Sequence, residues 1–132
     1  MKGGYLIVNM NLTEVYKTIN KETMSGRELE AEVLTQAAQK LKDCQENWDA
    51  KDRNKKLDEA LKFNQLLWSI FQGELVEDSN PLSKDLRRDL LSLSAFVDKR
   101  IFEVMAYPAP EKLTILININ HNIADGLRSV PV

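Results

Sequence analysis

The stretch 62–75, KFNQLLWSIFQGEL, constrains the fold most because it is apolar around most of a helical circumference. On either side of its tryptophan, apolar residues recur at three- and four-residue spacing, which is the period of an α-helix. The stripe consists of Leu57, Leu61, Leu67, Trp68 and Phe71, flanked by Phe63, Leu66 and Ile70. Such a helix usually lies at the centre of a bundle and contacts several neighbours. The sequence therefore predicts an all-α fold.

One polar residue, Asn64, interrupts this apolar face. A buried amide must find hydrogen-bond partners, because leaving it unpaired in the core costs roughly 1–3 kcal/mol. We expect Asn64 either to bridge to another helix or to contact the backbone of a bound partner.

Length and composition favour one compact cytoplasmic domain. A chain of 132 residues with a hydrophobic fraction of 43% can bury a core without disulfides or metals. The formal net charge of -2 provides no global attraction to nucleic acid or anionic membranes. The single cysteine, Cys44, excludes an intramolecular disulfide and fits a reducing compartment. No apolar run approaches the roughly 20 residues that span a bilayer, and the first residues lack the features of a signal peptide.

Periodicity and turn signals predict a single-domain bundle of about five helices. The domain is expected to cover residues 11–128. Residues 1–10 are either an N-terminal arm or a run upstream of a natural start at Met10, and residues 129–132 form a frayed tail.

Capping and helix-breaking residues locate the helix boundaries. Ser25-Gly26-Arg27-Glu28 matches a capping box, in which the serine and glutamate side chains pair with backbone N–H groups. In order, the predicted helices are a short one from Asn11, one from Gly26 to about Gln45, the central one ending near 73–76, one from about Ser83 to Met105, and a last one over Glu111–Arg128. Alternating isoleucines also make the last segment resemble a strand, but its length and the lack of a pairing partner other than Tyr5–Val8 favour a helix.

Few residues are candidates for chemistry. His121 is the sole histidine, and no Cys/His/Asp spacing indicates a metal site. The sequence has no phosphate-binding loop, nucleophile motif or isolated carboxylate pair, so we expect no enzyme, no metal and no cofactor. Cys44 continues the apolar stripe of its helix and is expected to be a small buried hydrophobe.

The charged connection around Trp48 is the only segment in which an RNA site is conceivable. A basic cluster lies within residues 51–56, but acidic neighbours favour a solvated face over a phosphate or acidic-partner site. Trp48 itself either folds back as a lid or lies at an interface.

Four segments carry a resemblance to a known family. They are Ser25–Glu30 with Ala31, Asn64–Trp68, Leu86–Leu93 with Val97, and Ile119–Leu127, which includes Asn120, Ile123, Ala124 and Gly126. Their order and spacing, from about Leu12 to Leu127, resemble the FlaF family of flagellar biosynthesis regulators. The run before Met10 and the long connection around Trp48 depart from the family pattern.

The resemblance implies a flagellin-binding secretion chaperone that promotes flagellin synthesis and export and opposes the translational regulator FlbT. It makes flagellin the expected partner, with FlbT or the flagellar export apparatus as further partners and no membrane insertion. An RNA-binding regulator of flagellin messenger is the alternative, against which the net charge and the absence of a basic stripe count. A third class, a subunit of a helical assembly, requires exposed apolar faces.

A helical bundle offers a groove for an amphipathic helix of such a partner. The candidate wall consists of Asn64, Trp68 and Phe71 on the central helix and Asn120, Ile123 and Leu127 on the last helix. The competing interpretation is that these residues only form the core, with the two asparagines hydrogen-bonded between helices.

Overall fold

The computed structural model describes residues 26–129, which form four α-helices and one short 3-10 helix. In chain order these are α1 (Gly26–Glu46), α2 (Arg53–Leu75), α3 (Lys84–Ala106), the 3-10 helix Pro110–Leu113 and α4 (Thr114–Ser129). The predicted all-α class is confirmed for this part of the chain. The expected count of about five helices is slightly too high for it, because that count included a short helix from Asn11, which lies outside the described residues.

The predicted boundaries lie close to the observed helix ends, except that the last helix, predicted from Glu111, begins at Thr114 after the 3-10 helix Pro110–Leu113. The Ser83 hydroxyl oxygen caps α3 by accepting a hydrogen bond from the backbone N–H of Leu86 at 3.2 Å. In the turn before it, the Asn80 side-chain amide donates to the carbonyl oxygen of Glu74 at 2.9 Å. Pro110 lies in the first turn of the 3-10 helix, where a backbone N–H would have no acceptor within the helix, so the lack of this group in proline costs no hydrogen bond. Ser25 of the capping box lies outside the described residues.

The ambiguous last segment is helical, as predicted. Its isoleucines do not behave as an alternating strand would require, since Ile115 is 38% exposed whereas Ile117 and Ile119 are both buried. Helix α4 packs along α1. At the start of α4, Gln45 Nε2 on α1 donates hydrogen bonds to Pro110 O and Thr114 Oγ1, both at 2.9 Å.

Helices α1, α2 and α4 build one hydrophobic core, which α3 joins mainly through its second half. In that half Val97, Ile101 and Val104 are each at most 1% exposed. The Gln72 side chain on α2 donates to Ser94 Oγ and to Asp98 Oδ2 on α3, the latter at 2.9 Å. The apolar residues in the first half of α3 are covered less well: Leu86 is 44% exposed.

A chain of buried hydrogen bonds crosses the core from α1 to α4. Asn64 donates both amide hydrogens, to Ala37 O on α1 at 3.1 Å and to Ala60 O on its own helix at 2.9 Å. Its Oδ1 accepts from Asn120 Nδ2 on α4 at 2.6 Å, and Asn120 Oδ1 accepts from Trp68 Nε1 at 2.9 Å. The two asparagines and the tryptophan are each 1% exposed. Interhelical pairing, one of the two alternatives expected for these asparagines, is what the structure contains.

Replacing Asn64 by alanine breaks this chain at its centre and leaves the Asn120 amide facing a cavity. We expect the free energy of unfolding to fall by about 2–4 kcal/mol, since a buried polar group loses its partner. Urea denaturation measures the change. Asn118→Ala, on the exposed side of α4, is the matched control and should change the free energy by less than about 0.5 kcal/mol. Equal losses in the two variants would contradict the role assigned to Asn64.

Candidate partner-binding groove

An open, largely apolar groove lies at one end of the bundle, where the end of α2 faces the first turns of α1. All four helices or their flanking turns contribute its apolar wall: Leu34, Trp68, Phe71, Leu75, Leu82, Leu90, Ile123 and Leu127. Arg27, Glu30 and Glu74 form a charged rim, and the space enclosed is about 220 Å³. We call this feature the apolar groove.

Four of the predicted site residues meet in the apolar groove. Phe71, Ile123 and Leu127 are half-buried, so part of each side chain is open to an occupant. Trp68 is 1% exposed and forms the floor, with its ring edge-on to that of Phe71 at 5.7 Å between centroids and 86° between planes. These four residues come from α2 and α4, which the sequence interpretation also paired.

The other two predicted site residues, Asn64 and Asn120, do not line the apolar groove. They lie beneath its floor, where Asn120 accepts the indole N–H of Trp68. Because the acceptor is itself held by Asn64, the tryptophan ring has a fixed orientation. The asparagines therefore act on the groove by positioning its floor.

Sequence reasoning missed two groove residues on the α3 side, Leu82 and Leu90. Both belong to an apolar stripe that continues into the buried Val97 and Ile101, so periodicity alone assigns them to the core. Both side chains are half-buried in the structure, a state that depends on how α3 packs against the other helices and that periodicity does not show.

The rim carries two carboxyl groups that face each other, Glu30 on α1 and Glu74 on α2. The pKa of Glu30 is raised from 4.5 to about 7, first of all by burial. The negative charge of Glu74 and a hydrogen bond between the two carboxyl groups contribute to this rise, and Arg27 opposes it. Near neutral pH, Glu30 is therefore protonated in a large fraction of molecules.

A wider cleft of about 500 Å³ lies at the opposite end of the bundle, between the end of α1 and the start of α2. Its wall carries charges of both signs, as in Asp43, Arg53 and Lys56, so it favours neither anions nor cations. Trp48 packs back against the core, and the Arg53 guanidinium lies 4.3 Å from its ring centroid. That face of the indole is thus already covered and offers no platform for a nucleic acid base.

The described part of the chain contains no other arrangement that indicates chemistry. Within residues 26–129, no three His, Cys, Asp or Glu side chains are grouped to hold a metal ion. Cys44 is buried, 6% exposed, as its place in the α1 stripe predicted. Over the same residues, no helix has the length and apolar character needed to cross a membrane.

Comparison with known families identifies the chain. A family model described as flagellar protein FlaF matches residues 12–127. Because the match covers most of the chain, this protein belongs to the FlaF family of flagellar proteins, and the resemblance noted from Leu12 to Leu127 is confirmed. No curated protein and no solved structure matches the chain.

The raised pKa of Glu30 makes stability depend on pH. The folded protein holds this proton more tightly than the unfolded chain, so the added stability is full below about pH 4.5 and is lost as the pH rises through about 7. In Glu30→Gln, we expect the free energy of unfolding to fall by about 1–2 kcal/mol less than in the wild type as the pH rises through this range. This figure is smaller than the pKa difference alone would give, because water at the rim screens the charges. Urea denaturation at several pH values measures it. Glu59→Gln, at an exposed site on α2, should leave the wild-type profile unchanged.

Proposed function

We propose that this FlaF-family protein is a flagellin-binding secretion chaperone that couples flagellin export to flagellin synthesis. The apolar groove is the observation that carries the proposal, because it presents half-exposed apolar side chains from several helices in one concave surface. Membership of the FlaF family supplies the flagellar context.

The shape of the apolar groove fits one face of an amphipathic helix. The groove volume of about 220 Å³ corresponds to roughly seven water molecules at about 30 Å³ each, which is room for two or three apolar side chains. An amphipathic helix offers such side chains at positions i, i+3 or i+4, and i+7, while its polar face stays in water. The terminal helices of flagellin, which pack together in the filament, are the partner segments we propose.

The rigid floor favours binding without rearrangement. Trp68 is held by Asn120 and by its edge-on contact with Phe71, so the deepest contact surface exists before a partner arrives. A preformed site avoids part of the entropy lost on ordering side chains, which otherwise weakens association.

In this role the protein acts by binding, without catalysis, cofactor or metal, in the cytoplasm where flagellin is synthesised. FlbT or the export apparatus would be its further partners. Direct RNA binding has less support, because the net charge is -2 and Trp48, the stacking residue that the sequence suggested, is covered by Arg53.

Leu90→Lys places a charge on the wall of the apolar groove and should weaken flagellin binding at least about tenfold, the equivalent of about 1.4 kcal/mol. Titration calorimetry with full-length flagellin from the same organism measures the affinity. Leu86→Lys is the matched control, since Leu86 lies one turn away on the same helix, is 44% exposed and does not line the groove. We expect its affinity to stay within about twofold of wild type.

Flagellin lacking its terminal helices tests the identity of the bound segment. Binding should disappear with the truncation if those helices enter the apolar groove. Unchanged binding would contradict the groove assignment, and no binding of full-length flagellin to the wild-type protein would refute the chaperone proposal. Circular dichroism establishes that both lysine variants remain helical.

A further inference from the structure

Two carboxyl groups lie together at one edge of the apolar groove. Glu30 is half-buried on α1, one turn before the wall residue Leu34, and Glu74 lies on α2, one turn after the wall residue Phe71. The two carboxyl groups are hydrogen-bonded to each other. A helix that packs its apolar stripe on Leu34 and Phe71 would therefore bring the side chains beside that stripe against this pair.

The charged groups around this carboxyl pair do not neutralise it. Arg27 lies on the same rim, one turn before Glu30, and its charge opposes the rise in the pKa of Glu30 without cancelling it. On the α4 side, Arg128 pairs with Glu32 at 3.5 Å. On the α3 side, the Arg87 guanidinium donates to backbone carbonyl oxygens at the end of α2. Among the described groove residues, α3 and α4 contribute only apolar side chains.

We propose that the apolar groove takes amphipathic helices whose apolar stripe is flanked by lysine or arginine, and that docking of such a helix releases a proton from the carboxyl pair to the solvent. The proposal rests on the proposed function, because it narrows which helices the chaperone site accepts. A helix with an uncharged flank binds more weakly, and a helix with an acidic flank is rejected.

Removal of water from the rim is the reason that the flank matters. A docked helix covers Glu30 further, so an ionised carboxyl group there loses solvation and an uncharged flank favours the protonated form. A lysine ammonium or an arginine guanidinium within about 4–6 Å favours the ionised form instead. The direction of proton exchange on binding thus indicates which kind of side chain reaches the pair.

The free protein fixes the pH range in which this exchange is visible. The pKa of Glu30 is about 7, raised first of all by burial and also by the charge of Glu74. A bound cation lowers this pKa, so the complex holds fewer protons and the affinity rises with pH up to about 7. An uncharged flank raises the pKa on docking, so the affinity is constant below about pH 7 and falls above it.

Three peptides that differ only in their flanks test the preference. Each is a helix of about 18 residues, roughly 27 Å long, with blocked termini and a leucine–alanine stripe on a glutamine background. The positions beside the stripe are all lysine, all glutamine or all glutamate. Titration calorimetry with the full chain at about pH 7 should show the lysine peptide binding at least about tenfold more tightly than the glutamate peptide.

Proton exchange is measured by repeating the titrations at about pH 6.5 in two buffers that differ in ionisation enthalpy. We expect the lysine peptide to release more than about half a proton per complex and the glutamine peptide to release none. Between about pH 5.5 and 7.5, the affinity of the lysine peptide should rise about tenfold, whereas that of the glutamine peptide should not rise.

Matched variants assign the effect to the carboxyl pair. Glu30→Gln should abolish the proton release and reduce the preference for lysine over glutamate at least about threefold. Glu59→Gln removes a carboxyl group at an exposed site on α2 that does not line the groove, so it should retain both. If Glu30→Gln fails to fold, Glu74→Gln replaces it and should reduce the proton release, because Glu30 loses the neighbouring charge.

Several results would overturn the proposal. They are equal affinities for the three peptides, a lysine peptide that releases no proton, and identical behaviour of Glu30→Gln and Glu59→Gln. Peptide binding that Leu90→Lys leaves unchanged would also overturn it, because the peptides would then lie outside the apolar groove. If no peptide binds, the preference for basic flanks fails, whereas the chaperone proposal is decided separately by titration with full-length flagellin.

Discussion

The hydrogen-bond chain Asn64–Asn120–Trp68 is the interaction on which the rest of the bundle depends. An all-apolar seam between α1, α2 and α4 would permit neighbouring registers, because one leucine replaces another at little cost. Asparagines remove that freedom, since a shift of one turn would leave buried amides unpaired. In this register Asn64 reaches Ala37 O on α1 and Asn120 on α4 at the same time. The same bonds turn the Trp68 ring toward the apolar groove.

The apolar groove follows from how α3 joins this fixed trio. The second half of α3 packs into the core through Val97, Ile101 and Val104. The Gln72 side chain on α2 also holds it by donating a hydrogen bond to Asp98. The first half of α3 begins after the turn held by Asn80, and there Leu86 is exposed and Leu90 only half-buried. A gap floored by Trp68 therefore remains at one end, and the apolar residues beside it are left half-covered.

Local patterns predicted the helices well because spacing, capping and breaking residues are properties of neighbours in sequence. Asn64 was also expected to need a hydrogen-bond partner, either on another helix or on the backbone of a bound partner, since a buried amide in an apolar stripe must be paired. The identity of that partner was not predictable from spacing, because Asn120 is 56 residues away in the chain. Leu90 shows the same limit for the apolar groove: periodicity indicates which side of a helix faces inward, but not whether a neighbour closes over it. The proximity of the Glu30 and Glu74 carboxyl groups was likewise not predictable, because it depends on how the ends of α1 and α2 pack together.

The size and rim of the apolar groove together narrow what it accepts. At about 220 Å³ it is smaller than the roughly 300–1,000 Å³ of most small-molecule sites, and it is open along one side. Both properties suit the edge of a helix better than an enclosed ligand. The rim adds a charge preference: Glu30 and Glu74 already repel each other strongly enough to help retain a proton on Glu30 near neutral pH. An acidic side chain beside the apolar stripe of an occupant would add to that repulsion, whereas a lysine or arginine would relieve it and release the proton. In the proposed binding mode, apolar contact would therefore set the depth of binding, and the paired carboxyl groups would select against acidic partners.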